Sequence, residues 1–197
     1  RFQSALQLGG VQHKAKVIAL GRVLVNGVDD KWTRATVFSS LGEQSIELLD
    51  ELAKGSKIRS TNLAPALKPL GGIIARSRGK AEILSVIDRH LAADFGWEPE
   101  ERIALLKGIA ADVRRRPFIG AQKSVFGLVT EHPAARANVE KTFQAARDRA
   151  TGRQSSALRA SAIELLAYST YKEDGETLLK LLTPAQPRPV QLAAARS

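Results

Sequence analysis

The chain has 197 residues, of which 44% are hydrophobic and 25% are charged. This composition is typical of a folded globular protein and argues against disorder. The absence of cysteine excludes disulfides, thiolate metal sites and thiol nucleophiles from this chain. No stretch approaches the roughly 18 apolar residues of a membrane span, and the first residues lack the pattern of a signal peptide.

The net charge of +10 raises the question of an anionic partner. Residues 1–60 carry +3, residues 61–120 carry +3 and residues 121–197 carry +4. Such an even spread is more typical of a solvated surface than of a phosphate-binding groove, although a fold can gather scattered charges on one face.

Helical patterns begin near the N-terminus, whereas period-two alternation is rare throughout. The segment VQHKAKVIALGRVL predicts a helix over 11–24 whose stripe of Val11, Ala15, Ile18 and Val25 faces a neighbour. A helix over 31–41 follows Asp30 as its N-cap. Another, over 45–55, stops at a glycine.

Two helices are predicted in the next part of the chain, from about Leu63 to Arg78 and from Lys80 to Ala93. Gly71 and Gly72 interrupt the first of them, and we expect the pair to bend or loosen it.

The segment WEPEERIALLKGIAADVRRRP carries the clearest helix signals in the chain. Pro99 suits a first helical turn, and the acidic residues around it complement the positive end of the helix dipole. The arginine triplet 114–116 complements the negative end, which accounts for these three charges without a ligand.

The remaining third is also predicted to be helical. Residues 118–130 favour either a short helix or a loop. Further helices are expected at Pro133–Ala150, Ser156–Ser169 and Glu176–Leu182, with a last one beginning near Pro189.

Four helical segments resemble one another: RFQSALQLG from Arg1, RATVFSSLG from Arg34, RASAIELLA from Arg159 and QLAAARS from Gln191. The first three have leucine seven residues after the leading position, followed by glycine or alanine. The leading positions are 33 residues apart at one end of the chain and 32 at the other. About three longer, degenerate units would fit between Arg34 and Arg159.

Helix pairs repeating every 30 to 45 residues indicate an α-solenoid. The closing PRPVQLAAA is similar to the entry of the second helix in HEAT-type repeats. The predicted fold is therefore an all-α, HEAT-like α-solenoid of about five to six helix pairs forming a single domain, 1–197. The alternative is an irregular helical bundle.

A solenoid needs polar capping units at its ends, and neither end of this sequence carries one. We therefore expect Phe2 and Leu6 at one end, and Val190 and Leu192 at the other, to be uncovered. Burial of such a side chain is worth roughly 1.5 to 3 kcal/mol, so the pattern predicts a segment cut from a longer array.

Catalytic motifs are absent from the sequence: neither phosphate-binding glycine loops nor a nucleophile elbow occurs. No catalytic, cofactor-binding or metal-binding residue is therefore assigned, and the segment is predicted not to be an enzyme. Its histidines, His13, His90 and His132, are isolated, and His90 needs only a dipole contact at a helix end. Asp29 and Asp30 could act as a carboxylate pair, but N-capping is the preferred role.

Trp32 and Trp97 each stand at a predicted helix start. Packing between helices is preferred over base stacking or sugar binding for both.

The alternative functional hypothesis is a nucleic-acid-binding solenoid with a basic face. Its candidate residues form two sequence clusters: Arg76, Arg78 and Lys80, and Arg147, Arg149, Arg153 and Arg159. Asp148 interrupts the second cluster and no aromatic residues interleave with the basic ones, so nucleic acid is the less favoured partner.

Several stretches, RFQSALQLG, DKWTRATVFSSL, RASAIELLAYSTY and LLTPAQPRPVQLAAARS, resemble the HEAT-repeat region of planctomycete-type membrane-bound dehydrogenases, also called PVC-type haem-binding proteins. The resemblance is strongest at the two ends, and the middle matches mainly in helix spacing and in GKAEILSVIDRHL.

The resemblance implies a noncatalytic spacer between a dehydrogenase-like β-propeller and a c-type cytochrome domain in an exported, periplasmic redox protein. Its implied partners are these adjacent domains and other proteins bound on a concave face. Haem c would belong to the parent protein, because its C-x-x-C-H attachment motif cannot occur in a chain without cysteine. No cofactor is assigned to this segment.

Overall fold

The structure is a computed structural model that describes residues 15–54, 61–115 and 124–197. Every regular element in these ranges is a helix, in the order α1 (Ala15–Asn26), α2 (Lys31–Ser40), α3 (Ser45–Lys54), α4 (Ala64–Ser77), α5 (Lys80–His90), α6 (Pro99–Arg115), α7 (Val125–Val129), α8 (Pro133–Thr151), α9 (Ser156–Leu166), α10 (Tyr171–Lys180) and α11 (Arg188–Arg196). The predicted all-α class is confirmed.

The helices begin where the local chemistry provides a start signal. The Asp30 carboxylate accepts hydrogen bonds from the backbone N–H groups of Trp32 and Thr33, which confirms the predicted N-cap of α2. Hydrogen bonds that this carboxylate accepts from the Thr33 hydroxyl and backbone N–H lower the pKa of Asp30. Ser124 and Ser155 cap α7 and α9 in the same way. The local sequence therefore sets several helix starts independently of tertiary packing.

Helices α4 and α6 run side by side in the same direction. The backbone N–H of Leu63 donates to Glu101 at 2.9 Å near their N-terminal ends, and Arg76 donates to Asp112 at 2.8 Å near their C-terminal ends. Parallel neighbours of this kind arise in a solenoid because the connecting helix returns in the opposite direction.

The same parallel relation joins α9 to α11 and α5 to α8. Arg159 of α9 contacts Gln186 just before α11, and the Ser197 hydroxyl after α11 donates to the carbonyl of Ile163. At the other pair, Lys80 at the start of α5 lies 3.9 Å from Glu131 just before α8, and Asn138 of α8 donates to the carbonyl of Asp88 near the end of α5. Helix α9 also packs against α6, so α4, α6, α9 and α11 form one row. Helices α5 and α8 form a second row, and α8 packs against α6 and α9 of the first row, as expected for a helical-repeat solenoid.

Helix α6 is the centre of the described structure. It contacts α4, α7, α8 and α9, and every residue from Ile103 to Ala110 is buried. The core cluster continues from α6 into helices on both sides.

Three glycines allow the backbones of α4 and α6 to come unusually close. A Cβ atom at Gly108 would lie 2.0 Å from the carbonyl oxygen of Lys68, and one at Gly71 would lie 2.5 Å from that of Leu105. At Gly72 it would lie 2.6 Å from the Asp112 carboxylate. Helix α4 is continuous from Ala64 to Ser77, so Gly71 and Gly72 do not interrupt it. Their missing side chains serve close packing against α6 instead.

The sequence repeats have a common structural role at their leading positions. Arg34 donates to the carbonyl of Val28, and Arg159 donates to that of Ala150 at 2.9 Å. Gln191 donates to the carbonyl of Gln186 at 2.7 Å. Each side chain thus reaches back to the chain just before its own helix: to a connection for Arg34 and Gln191, and to the last turn of α8 for Arg159.

A further unit that the sequence comparison missed shares this role. Arg102 donates to the carbonyls of Ala93 and Trp97, nine and five residues earlier. Seven residues after Arg102 comes the buried Ile109, and the buried leucines 41 and 166 occupy the same position after Arg34 and Arg159. The segment RIALLKGIA is therefore a repeat in which isoleucine replaces leucine.

Several predicted details of the helices differ from the structure. The buried stripe of α1 is Val17, Leu20, Gly21 and Leu24, whereas Ala15 is exposed and Ile18 is 40% exposed. Of the predicted stripe, Val25 is partly buried and packs against the core, but the prediction was wrong for Ala15 and Ile18. Apolar residues surround most of this helix, so periodicity did not single out one face. Val11, His13, Gly55 and Arg116 lie outside the described residues.

The C-terminal predictions are also corrected in part. Helix α10 begins at Tyr171, five residues before the predicted start, and its first turn carries Glu173 and Asp174 at the positive end of the dipole. Val190 is fully buried, contrary to the expectation that it is uncovered, whereas Leu192 is 45% exposed as expected. Phe2 and Leu6 lie outside the described residues.

Gly108→Ala is expected to destabilise the protein by about 2–3 kcal/mol, because its methyl group would collide with the backbone of α4. Chemical denaturation monitored by circular dichroism measures the loss. The control is Gly21→Ala in α1, where the nearest atom to the new methyl would be 3.4 Å away. This control should be neutral or slightly stabilising through helix propensity. Equal effects of the two variants would contradict the proposed role of the close approach.

Arg159→Ala is expected to cost about 1–2 kcal/mol, because it leaves the Ala150 carbonyl without its charged donor. Arg102→Ala should cost a similar amount. Arg22, which is exposed on α1, provides the matched control, and its change to alanine should shift the denaturation midpoint little. A midpoint shift for Arg159→Ala no larger than that for Arg22→Ala would contradict the shared role of the repeat positions.

Candidate partner-binding face

Three helices of the first row meet at a polar cluster around Lys107. This side chain of α6 is only 6% exposed, and its amine donates to Glu164 at 3.0 Å, to the Ser161 hydroxyl at 2.8 Å and to the Ser161 carbonyl at 3.3 Å. Three acceptors match the three N–H bonds of an ammonium group. Burial lowers the pKa of Lys107, and the hydrogen bond to Glu164 opposes that effect.

Glu164 joins two lysines from different helices. Its carboxylate accepts from Lys107 of α6 and lies 3.5 Å from the amine of Lys68 in α4. Burial acts to raise the pKa of Glu164, but the hydrogen bond and charge of Lys107, together with Lys68, outweigh burial and lower it. The carboxylate therefore stays ionised, and it connects α9 to both α6 and α4.

A cavity of about 450 Å³ opens beside this cluster, between helices of the first row. We call it the basic cavity; its lining includes Lys68, Lys107, Glu164, Tyr168, Leu192 and Arg196. Lys68, Arg196 and Leu192 are exposed, whereas Lys107 forms the buried floor. The cavity thus combines three cationic side chains and one carboxylate with an apolar wall.

A second, apolar groove of about 240 Å³ lies between α9, α10 and α11. Leu179 is 55% exposed and Leu182 is 41% exposed at its edge. These are unusually large apolar side chains to leave in water, since most others in the described ranges are buried.

The first predicted basic cluster does not form a free cationic surface. Arg76 pairs with Asp112 at 2.8 Å and Arg78 with Glu82 at 3.5 Å. Lys80 lies 3.9 Å from Glu131. These contacts place an acidic group beside each predicted cation.

The second predicted cluster is also largely occupied within the fold. Arg147 forms a two-point contact with the buried Asp174, and this hydrogen bonding raises the pKa of Arg147. Arg149 pairs with Glu100 of α6 at 2.9 Å. Arg159 caps the Ala150 carbonyl, whereas Arg153 is exposed.

The isolated histidine His90 proves to be part of a buried cluster. Its Nε2 atom lies 3.0 Å from Asp50 of α3, and the Trp97 indole donates to its Nδ1 atom at 3.4 Å. Phe95 packs edge-on against the imidazole, and Arg89 lies 3.1 Å from Asp50. A dipole contact alone was too simple an account, because the fold brings Asp50 from 40 residues earlier in the chain to His90.

The two tryptophans differ in environment. Trp97 is buried as predicted, whereas Trp32 is 62% exposed, so the packing prediction was wrong for Trp32. The buried residues of its helix are Thr33, Thr36, Val37 and Ser40, so Trp32 lies outside the packed face.

Metal and membrane features are also absent from the described ranges. Within residues 15–54, 61–115 and 124–197, no three His, Cys, Asp or Glu side chains lie together as a metal site. Across these same ranges, no helix has the length and apolar character needed to cross a bilayer.

Sequence reasoning missed the basic cavity because its residues come from four helices with no common motif. Lys107 did carry one signal: it interrupts the otherwise apolar run IALLKGIAA in the central helix. A single lysine in such a run is ordinarily read as a solvent-facing position.

Comparison with protein-family models, curated proteins and solved structures finds no match for this chain.

Burial lowers the pKa of His90 to about 4, outweighing the opposing influence of Asp50, with Arg89 lowering it further. As the pH falls below 6.5, the usual pKa of histidine, His90 becomes protonated in the unfolded chain but stays neutral in the folded protein. The free energy of unfolding that is present above pH 6.5 is therefore lost between about pH 6.5 and 4. We expect the wild type to lose about 2 kcal/mol more than His90→Gln between about pH 7 and 5, measured by urea denaturation.

The control for this experiment is His132→Gln. His132 is exposed at the start of α8, so this variant should keep the pH dependence of the wild type. Identical pH profiles for His90→Gln and the wild type would contradict a buried neutral histidine.

Proposed function

We propose that this chain is a noncatalytic, HEAT-like scaffold that holds neighbouring domains in fixed relation and offers its first helix row to a protein partner. The observation that carries the proposal is the pair of helix rows joined by polar contacts between different helices. Lys107–Glu164, Arg149–Glu100 and Arg147–Asp174 each tie two elements together. Such directional contacts, two of which include a buried partner (Lys107 and Asp174), favour a rigid module.

The proposal extends to the parent protein through the resemblance described above. In the proposed parent, an exported, periplasmic redox protein, the scaffold separates a dehydrogenase-like propeller from a c-type cytochrome domain. Haem c is carried by that cytochrome domain. Arg34, Arg102 and Arg159 each donate to a backbone carbonyl that precedes them, and this recurrence supports the repeat architecture on which the assignment rests.

Rigidity is tested with paired spin labels, for which the absence of native cysteine is an advantage. Cysteines introduced at Arg22 in α1 and Lys180 in α10 occupy exposed positions toward opposite ends of the described helices. A single narrow distance distribution, unchanged between low and high salt, is the expected result. A broad distribution would overturn the scaffold proposal.

The matched control for the distance measurement carries the same labels together with Gly108→Ala. Because this change disturbs the close contact of α4 and α6, the distribution should broaden or shift. The parentage is tested separately by the natural gene. A downstream C-x-x-C-H and an upstream propeller are expected, and their absence would remove the redox assignment.

Nucleic-acid binding is the alternative function, and we propose that it is not the role of this chain. Six of its seven candidate cations contact an acidic side chain or a backbone carbonyl within the protein. We therefore expect no duplex binding in a fluorescence anisotropy titration at low salt. Binding that weakens steeply with salt, and that Arg147→Gln and Arg149→Gln abolish, would support the alternative.

A further inference from the structure

We propose that the basic cavity is a docking site for an acidic peptide segment of a protein partner, one in which a carboxylate lies next to an aliphatic side chain. This inference rests on the proposed scaffold function and specifies the partner chemistry of its first helix row. It concerns Lys68, Arg196 and Leu192 as contact residues, with Glu164 as the group that an incoming carboxylate replaces.

Charge complementarity is the first argument. Lys68, Lys107 and Arg196 line the cavity against the single carboxylate of Glu164. A ligand carboxylate would bring this local balance closer to neutrality. The overall charge of +10 adds a long-range attraction for acidic partners.

The availability of the cations is the second argument. The ammonium of Lys107 already has three acceptors within the protein, so it holds Glu164 and does not need a ligand. Lys68 is half-exposed, and its amine lies 3.5 Å from Glu164, a longer and weaker contact. Arg196 also lines the cavity and is exposed. Lys68 and Arg196 are therefore the two cations that can turn to a ligand.

The shape and wall of the cavity are the third argument. Its volume of about 450 Å³ lies within the range of about 300–1,000 Å³ found for ligand pockets. Leu192 is exposed in its wall and Tyr168 adds a partly buried ring, so an aliphatic side chain beside the ligand carboxylate would cover apolar surface. Nucleic acid offers anionic groups without such an aliphatic neighbour.

Glu164 gives the site a distinctive energetic feature. In the free protein it lies beside both lysines, so a ligand carboxylate must displace it from Lys68. Glutamine at this position could still accept from Lys107, but would no longer compete for Lys68 by charge. Removal of this negative charge should therefore strengthen binding, whereas removal of a merely structural contact would not.

The test uses fluorescence anisotropy with the whole chain and a short fluorescein-labelled peptide that alternates Glu with Leu. Lys68→Gln and Arg196→Gln should each weaken binding about tenfold, as expected for the loss of a charge-assisted contact. Lys141→Gln is the matched control, because it removes one exposed positive charge from α8, outside the cavity lining. It should leave the dissociation constant within about twofold of the wild-type value.

Glu164→Gln is expected to tighten binding of the same peptide about fivefold. Circular dichroism melts verify that all four variants fold. If Glu164→Gln unfolds, altered peptides test the proposal instead. A peptide with Gln in place of Glu, or with Ala in place of Leu, must bind the wild-type chain more weakly than the original peptide.

The proposal is overturned if the peptide does not bind, or if Lys68→Gln and Arg196→Gln behave like Lys141→Gln. It is also overturned if duplex DNA competes for the cavity and its binding responds in the same way to these two variants. The spin-label distances do not depend on any ligand, so a rigid module without peptide binding would refute the docking site and leave the scaffold proposal standing.

Discussion

The close approach of α4 to α6 is the constraint on which the described architecture depends. Gly71 and Gly108 leave no room for a methyl group between the two backbones. Because the helices run parallel at this distance, Leu63 can reach Glu101 at one end while Arg76 reaches Asp112 at the other. Helix α6 thereby becomes the buried centre, and α9 completes its enclosure from the other side.

This burial explains the polar chemistry of the first row. A lysine on a solvent-facing helix needs no partner, but Lys107 lies on a helix enclosed by its neighbours. Its charge is tolerated because Ser161 and Glu164 of α9 supply acceptors. Glu164 in turn lies 3.5 Å from Lys68 of α4. The same enclosure that builds the core therefore places charged groups at the floor of the basic cavity.

Local sequence signals were sufficient to place most helices. They did not show which face of a helix is buried or which distant residues come into contact. The Asp30 cap and the Pro99 start depend on neighbouring residues, so they could be predicted. The buried face of α1 could not, because apolar residues on several sides left its orientation to tertiary packing. For the same reason, His90 looked isolated until the fold brought Asp50 beside it, and Gly71 resembled a helix breaker rather than a packing surface. The basic cavity escaped prediction because Lys68, Lys107, Glu164 and Arg196 are widely spaced in the chain.

The backward reach of Arg102, Arg159 and Gln191 has a consequence for how the chain acquires its structure. Each of these side chains meets a carbonyl only five to nine residues earlier, so the loops they close are short and entropically inexpensive. Individual units can therefore organise early in folding, before the distant parts of the chain meet. Amide hydrogen exchange would then follow the boundaries of these units as separate cooperative openings, rather than a single global event.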